Sequence, residues 1–256
     1  MSNIEEKETL ERIKVLSKEL KLPYVMRNVE DEIKEANLEG NSFETFLKEI
    51  LEKEYDLRKE NGKKSRIRLA KFPYKKYIED LIIEDLPEDA RTKIKIFSSL
   101  EFIKTGQNII LAGNPGTGKT HISIGLGIKA CNAGHRVLFT TIPLLVNELK
   151  ECRSQKTLRA FERNFEKYDL IIADELDYIS FDKEASELLF TYLSLRAGRK
   201  STIITTNLSF ERWDEIFKDP VMTAAMIDRM THKSYIVNMN GNSFRLKETK
   251  QWLQGQ

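Results

Sequence analysis

The sequence predicts an α/β fold: a three-layer sandwich on a parallel five-stranded sheet, preceded by a small all-helical domain. Three observations carry this expectation. After Pro87, five short apolar runs recur: "NIILA" (108–112), "RVLFT" (136–140), "DLIIA" (169–173), "STIITT" (201–206) and "SYIVNM" (234–239). They are nearly continuous in Ile, Val and Leu, as expected of parallel strands covered on both faces. Helix-length segments separate them, which argues for βαβ crossovers. The first 57 residues read as helices instead, and a basic run links them to the rest.

In the first 57 residues Leu10, Ile13, Leu16 and Leu20 recur at three- and four-residue steps, predicting one apolar helical face. Pro23 ends that helix or opens the next turn. "EGNS" (39–42) is a break, and Ser42 with Thr45 offers N-capping oxygens. Phe43, Phe46, Leu47, Ile50, Leu51 and Tyr55 then form a second stripe. So few short helices bury little core, so this region is expected to pack on a partner subunit or the neighbouring domain. "NGKK" (61–64) reads as a further break, and the domains are set at 1–68 and 69–256.

Composition narrows the classes. With 256 residues, 40% hydrophobic and 32% charged, the chain has a globular rather than a disordered balance. No apolar stretch is long enough to span a membrane, and "MSNIEEKETL" carries acids where a leader peptide carries basic residues, so a cytoplasmic location is expected. Cys131 and Cys152 lack any paired or metal-site spacing and are read as reduced thiols. His121, His135 and His232 are read as ordinary imidazoles. The net charge of +2 hides an uneven distribution, because residues 58–76 hold nine basic side chains against one acid, Glu60. Lys63, Lys64, Arg66, Arg68, Lys71, Lys75 and Lys76 lie in this run beside Phe72, Tyr74 and Tyr77. Positive charge with interleaved aromatics suits phosphate contact and base stacking.

The most specific motif is Gly113-Asn114-Pro115-Gly116-Thr117-Gly118-Lys119-Thr120, a complete G-x-x-x-x-G-K-[ST] set between a strand and a helix. Its glycines allow backbone N–H groups to cradle phosphate oxygens, and the following helix points its positive end at them. Lys119 is expected to reach the β and γ phosphates of a bound nucleotide, and Thr120 to help hold Mg²⁺. In "YDLIIADELDY" the apolar run delivers Asp174, a metal-site candidate, and Glu175, a candidate base for an attacking water. Asn207, at the tip of the next strand, is a candidate to position that water. Arg229, near the end of the helix-like "DPVMTAAMIDRM" (219–230), is the first choice for an arginine reaching a neighbouring subunit's phosphates, with Arg196, Arg199 and Arg245 in reserve. Residues between Tyr77 and Phe102 are the expected walls of the base pocket.

In this order the motifs resemble an ATPase of the AAA+ superfamily, and within it the IstB-type transposition ATPases, relatives of the DnaC-type helicase loaders. "RIRLAKFPYKKYIEDL", "DELDY", "STIITTN" with "FERW", and "DRMTHKSYIVNMNGNSFRLKE" carry the resemblance over nearly the full length. It implies that Lys119, Thr120, Asp174, Glu175 and Asn207 serve one protomer's nucleotide and that Arg229 serves the neighbour's. It implies homo-oligomers assembled with ATP on double-stranded DNA, the N-terminal domain helping assembly, and a transposase from the same element as partner. It also implies the absence of a C-terminal lid domain, which puts a lid-borne arginine in doubt. In the initiator-type branch an extra helix before the third strand lines the DNA, and the matching segment here holds Lys150, Arg153, Lys156, Arg159 and Arg163. The same spacing suits a plain solvated helix face. No residue reads as a base-edge reader, so sequence-independent binding is expected. A replicative helicase loader is the alternative function. A small-molecule kinase and a non-hydrolysing DNA scaffold are more distant ones.

Overall fold

The computed structural model describes residues 2–177 and 181–254. The chain divides into two compact units, Met1–Ser65 and Arg66–Gln256. Helices α1 (Ser2–Glu19), α2 (Pro23–Glu39) and α3 (Phe43–Leu69) account for the first unit, with α3 continuing past its end. Pro23 takes the first turn of α2, where its missing N–H costs nothing, and Gly40 closes α2 in the left-handed region at φ 67°. The residue preceding α2 is Leu22, which offers no capping oxygen. Glu54 supplies one instead: its buried carboxylate accepts from Tyr24 N (2.7 Å) and Val25 N (3.2 Å). The small core consists of Val25, Val29 and Ile50, with Leu10, Ile13, Tyr24, Ile33 and Phe46 against it.

Three helical expectations are corrected. Leu16 and Leu20 are exposed, and Ser17 is buried in their place, because the inward line of α1 follows Leu10, Ile13 and Ser17. Of the second stripe only Phe46 and Ile50 turn inward. Phe43, Leu47, Leu51 and Tyr55, spaced four apart, form an exposed line. The break at 61–64 does not occur either. Asn61 and Gly62 lie inside α3. A helix-interior glycine costs only about 1 kcal/mol relative to alanine, and the flanking Lys, Glu and Arg residues are good helix formers.

The second unit adds α4 (Glu88–Ser98), α5 (Glu101–Thr105), β1 (Asn108–Ala112), α6 (Lys119–Asn132), β2 (Val137–Thr141), α7 (Ile142–Ser154), α8 (Leu158–Phe165), β3 (Leu170–Asp174), α9 (Lys183–Ser194), β4 (Ser201–Thr206), α10 (Asp214–Phe217), α11 (Pro220–Thr231), β5 (Ser234–Asn238) and α12 (Phe244–Gln254). The strands form one parallel sheet in the order β2-β3-β4-β1-β5. Alternate residues face opposite layers, as the two-residue strand period requires. Ile109, Leu111, Ile172 and Ile203 join one core with the buried residues of α4 and α6. Ile110, Ile171, Ala173 and Ile204 join the other with those of α7, α9 and α11. All five expected strands are present, each within a residue of the apolar run that announced it. No helix among the described residues is long and apolar enough to cross a membrane.

Candidate functional site

Because β4 lies between β1 and β3, the carboxyl-terminal tips of these three strands bring the sequence motifs together, at the edge of a parallel sheet where ligands bind. A cavity of about 430 Å³ opens there, walled by the phosphate loop, Glu175, Asp177, Thr205 and Asn207 among others. The loop is held close to the neighbouring strand. A Cβ on Gly113 would lie 2.3 Å from the backbone carbon of Met239, which follows β5, so only glycine fits. Gly118 adopts φ 93° just before α6, and the helix starts at Lys119.

Lys119 is buried, at 8% exposure, and donates three hydrogen bonds, to Gly113 O (2.7 Å), Asn114 O (2.7 Å) and Asn207 Oδ1 (2.6 Å). Burial lowers its ammonium pKa to about 8, against the upward pull of Asp177 and Asp174. The Thr120 hydroxyl lies 3.1 Å from each Asp174 carboxylate oxygen. Thr205 Oγ1 donates to Asp174 Oδ1 (2.6 Å) and accepts from Glu175 N (2.9 Å). Asp174 is 3% exposed, and burial raises its pKa despite the bonds from Thr205 and Thr120. The Lys119 charge pulls in the same direction as these bonds, and burial outweighs them. One carboxylate and one hydroxyl, both hard oxygen donors, suit Mg²⁺, which takes few protein ligands and completes its shell with phosphate and water oxygens. Thr120 and Asp174 therefore fit the metal assigned to them.

Glu175 stands in the left-handed region at φ 63°, and its side chain is exposed to the cavity. Its pKa is raised by burial first, then by Asp174 and Asp177, which favours its acting as a base. Asn207 bridges Lys119 and Asp177: its Oδ1 accepts from the lysine and its Nδ2 donates to the Asp177 carboxylate.

The remaining wall is only partly the expected one. Asp80, Leu81 and Ile82 lie in the span anticipated for the base pocket, but Tyr74 and Lys76 precede it, and Phe244, Arg245 and Glu248 come from α12. Lys76, anticipated on DNA, is thus a cavity residue. His121, dismissed as an ordinary imidazole, lines the cavity too, with Nε2 2.9 Å from Tyr77 O. Thr205 was visible in "STIITTN" but had no spacing rule to single it out. α12 is anchored on the phosphate loop, Phe244 N donating to Gly116 O (2.8 Å), so an arginine beyond the last strand does reach the site.

Arg229 is exposed on α11 and does not line the cavity. α11 leads into the start of β5, where Ser234 pairs with Asn108, and the phosphate loop follows the opposite end of β1. About 16 Å of strand separates the two levels, so Arg229 serves no phosphate in its own cavity. Arg196 is removed from the reserve. At 2% exposure, it donates to the carbonyls of Phe165, Tyr168, Asp169 and Ser201 and cannot reach a neighbour.

The anticipated DNA residues divide into engaged and unengaged groups. Arg66 Nε donates to Cys131 O (2.7 Å), Lys63 pairs with Glu60, and Arg153 pairs with Glu184 (3.3 Å). Lys64, Arg68, Lys71, Lys75, Lys156 and Arg159 are exposed.

A family model described as IstB-like ATP binding protein matches residues 15–252. A protein of insertion sequence IS21 from Pseudomonas aeruginosa, named for ATP binding, is 33% identical over 94% of this chain and 91% of its own length. Among solved structures, the replication initiator DnaA bound to AMPPCP and single-stranded DNA superposes with a TM-score of 0.54 at 19% identity, covering 70% of this chain and 54% of that one. DnaI superposes with a TM-score of 0.53 at 20% identity, covering 66% of this chain and 89% of that one. These two likenesses establish the fold alone. The family match and the identity to the IS21 protein go further: the chain belongs to the family of IstB-like ATP binding proteins.

Proposed function

We propose that this chain is an ATPase that assembles as a homo-oligomer on double-stranded DNA and assists transposition, preparing or selecting target DNA and activating a transposase of the same element. The observation that carries the proposal is the convergence of Lys119, the Thr120–Asp174 pair, Glu175 and Asn207 on one cavity at the tips of β1, β3 and β4. Membership in a family named for ATP binding and likeness to insertion-sequence proteins supply the context.

Lys119 exchanges its carbonyl partners for β and γ phosphate oxygens, an exchange favoured by the stronger charge of the phosphates. Thr120 and Asp174 hold Mg²⁺, which when bound neutralises charge on the transferred phosphoryl group. Glu175, its proton affinity raised by its surroundings, takes the proton from the attacking water. Asn207 contacts the γ phosphate or that water. Arg229 of one protomer completes the cavity of the next, which makes nucleotide the joint between subunits and hydrolysis its release. Lys64, Arg68, Lys71 and Lys75 on one segment, with Lys156 and Arg159 on another, supply sequence-independent phosphate contacts.

Replacing Glu175 with Gln tests the proposal. ATP-dependent assembly on DNA is expected to persist, with phosphate release slowed about a hundredfold or more. Equal turnover by variant and parent removes Glu175 from the mechanism. A parent chain that stays monomeric with ATP, Mg²⁺ and long DNA removes the assembly. Capture of a replicative helicase rather than a transposase assigns the chain to helicase loading.

A further inference from the structure

The Asn207 side chain is an amide with two unlike ends, and its use depends on which end faces the reacting phosphoryl group. To contact a phosphate oxygen it must offer its Nδ2 donor, whereas its Oδ1 can only accept. Its two neighbours fix the orientation without ambiguity. Lys119 has donors only and meets Oδ1 at 2.6 Å. The Asp177 carboxylate accepts only and meets Nδ2. A flipped amide would set donor against donor and acceptor against acceptor.

The geometry points to Asp177 as a positioning residue for ATP turnover: its carboxylate holds the Asn207 amide with Nδ2 turned to the Glu175 side of the cavity and Oδ1 to the lysine. This rests on the reading of Asn207 as a contact of the transferred group or its water. Asp177 lies two residues beyond Glu175 and lines the same cavity, so one short loop carries both the base and the group that orients its partner amide. Thr205 Oγ1 holds the start of that loop through Glu175 N (2.9 Å), and Leu176 N donates to Thr205 O (3.0 Å). Asp177 is therefore kept at a fixed height beside Asn207 by the same strand that carries Asn207. When Lys119 leaves Oδ1 for phosphate oxygens, the bond to Asp177 is what still restrains the amide. Asp177 also places a negative charge beside the triphosphate, so its contribution appears in turnover and works against binding.

Four variants separate these effects: Asp177→Ala, Asp177→Asn, Asn207→Ala, and the double Asp177→Ala/Asn207→Ala. Two readouts are used, DNA-stimulated ATP turnover resolved into kcat and KM, and the Asn207 side-chain amide resonance in nucleotide-free protein, assigned by its loss in Asn207→Ala. Asp177→Ala is expected to lower kcat about tenfold, the loss of one charge-assisted hydrogen bond, with KM for ATP unchanged or lower. Asp177→Asn keeps an acceptor for Nδ2 and is expected to stay within about threefold of the parent kcat. The double variant is expected to be no slower than Asn207→Ala alone, because both changes remove one interaction. The amide resonance is expected to shift in Asp177→Ala and to shift less in Asp177→Asn.

The proposal is overturned if Asp177→Ala keeps parental kcat while Asn207→Ala is slow, if the two losses multiply in the double variant, or if the two Asp177 variants lose kcat equally. An amide resonance indifferent to Asp177→Ala overturns it whatever the turnover. Parental turnover in Asn207→Ala instead overturns the underlying reading of Asn207.

Discussion

The Arg229 guanidinium carbon lies 4.8 Å from the centre of the Phe190 ring, so an exposed cation on α11 is held over an aromatic face of α9. Such stacking favours a planar guanidinium by about 0.5–1 kcal/mol at exposed sites and restricts its rotamers. An arginine held this way is presented outward rather than toward its own nucleotide cavity. Arg229→Ala alone is therefore expected to bind ATP as the parent does and to lose turnover by about a thousandfold. Mixing it with the Glu175→Gln chain should restore part of the rate, since mixed joints pair an intact cavity with an intact arginine. Absence of recovery in the mixture, measured by phosphate release, returns Arg229 to an ordinary surface role.

Through Lys119, nucleotide binding is expected to be sensitive to alkali. Burial lowers its pKa to about 8 in the nucleotide-free site, and a bound triphosphate must raise it again. Binding is therefore expected to take up little proton at about pH 7 and close to one proton at about pH 9, with affinity falling as pH rises through that interval. Calorimetry in two buffers of unlike ionisation heat measures the uptake. Equal uptake at both pH values contradicts the origin assigned to it.

Arg196 staples the start of the sheet. Its pKa is lowered to about 10 by burial, partly offset by Asp169, and its hydrogen bonds join the carbonyls before β3 to the start of β4. Arg196→Met would leave several buried carbonyls without a donor, a change of about 3–5 kcal/mol by analogy with broken buried charge networks. The expected result is a melting temperature lower by about 8 °C or more, with ATP affinity unchanged in the protein that remains folded. Scanning calorimetry reads the first and nucleotide titration the second.

DNA contact is testable against a built-in contrast. Lys156 and Arg159 are exposed, whereas Arg153 is paired with Glu184 and Lys150 with Asp182. The double change Lys156→Ala/Arg159→Ala is expected to weaken DNA binding similarly on unrelated sequences and to reduce the salt slope by about two. Lys76→Ala should instead raise KM for ATP and leave the salt slope alone. The reverse pattern, read by fluorescence anisotropy over a salt series, would interchange the roles given to these lysines.

The strands were legible because five unbroken runs of branched aliphatics leave few other ways to bury both faces, and the phosphate loop because its glycines have a fixed backbone task. The continuity of α3 was not. "NG" at 61–62 is a strong local turn signal, and local signals lose when a long helix spreads the cost over many good formers. The cavity wall was legible only in part, because Tyr74, Lys76 and Phe244 meet across some 170 residues with no pattern linking them. Arg196 was misjudged for a related reason. Its partners are backbone carbonyls, which every residue carries and no motif announces. Asp177 stood in plain view in "DELDY", yet its role depends on the amide across the strand gap.

The anchoring of α12 on the phosphate loop has a practical corollary. Phe244 N bonds Gly116 O, Met239 N bonds Ala112 O, and Ser243 packs against Gly116, so the last stretch of polypeptide is built into the floor of the cavity. Cutting the chain near residue 240, or crowding that end with a bulky fusion, would loosen the nucleotide cradle from behind. A purification handle is better carried on the amino end.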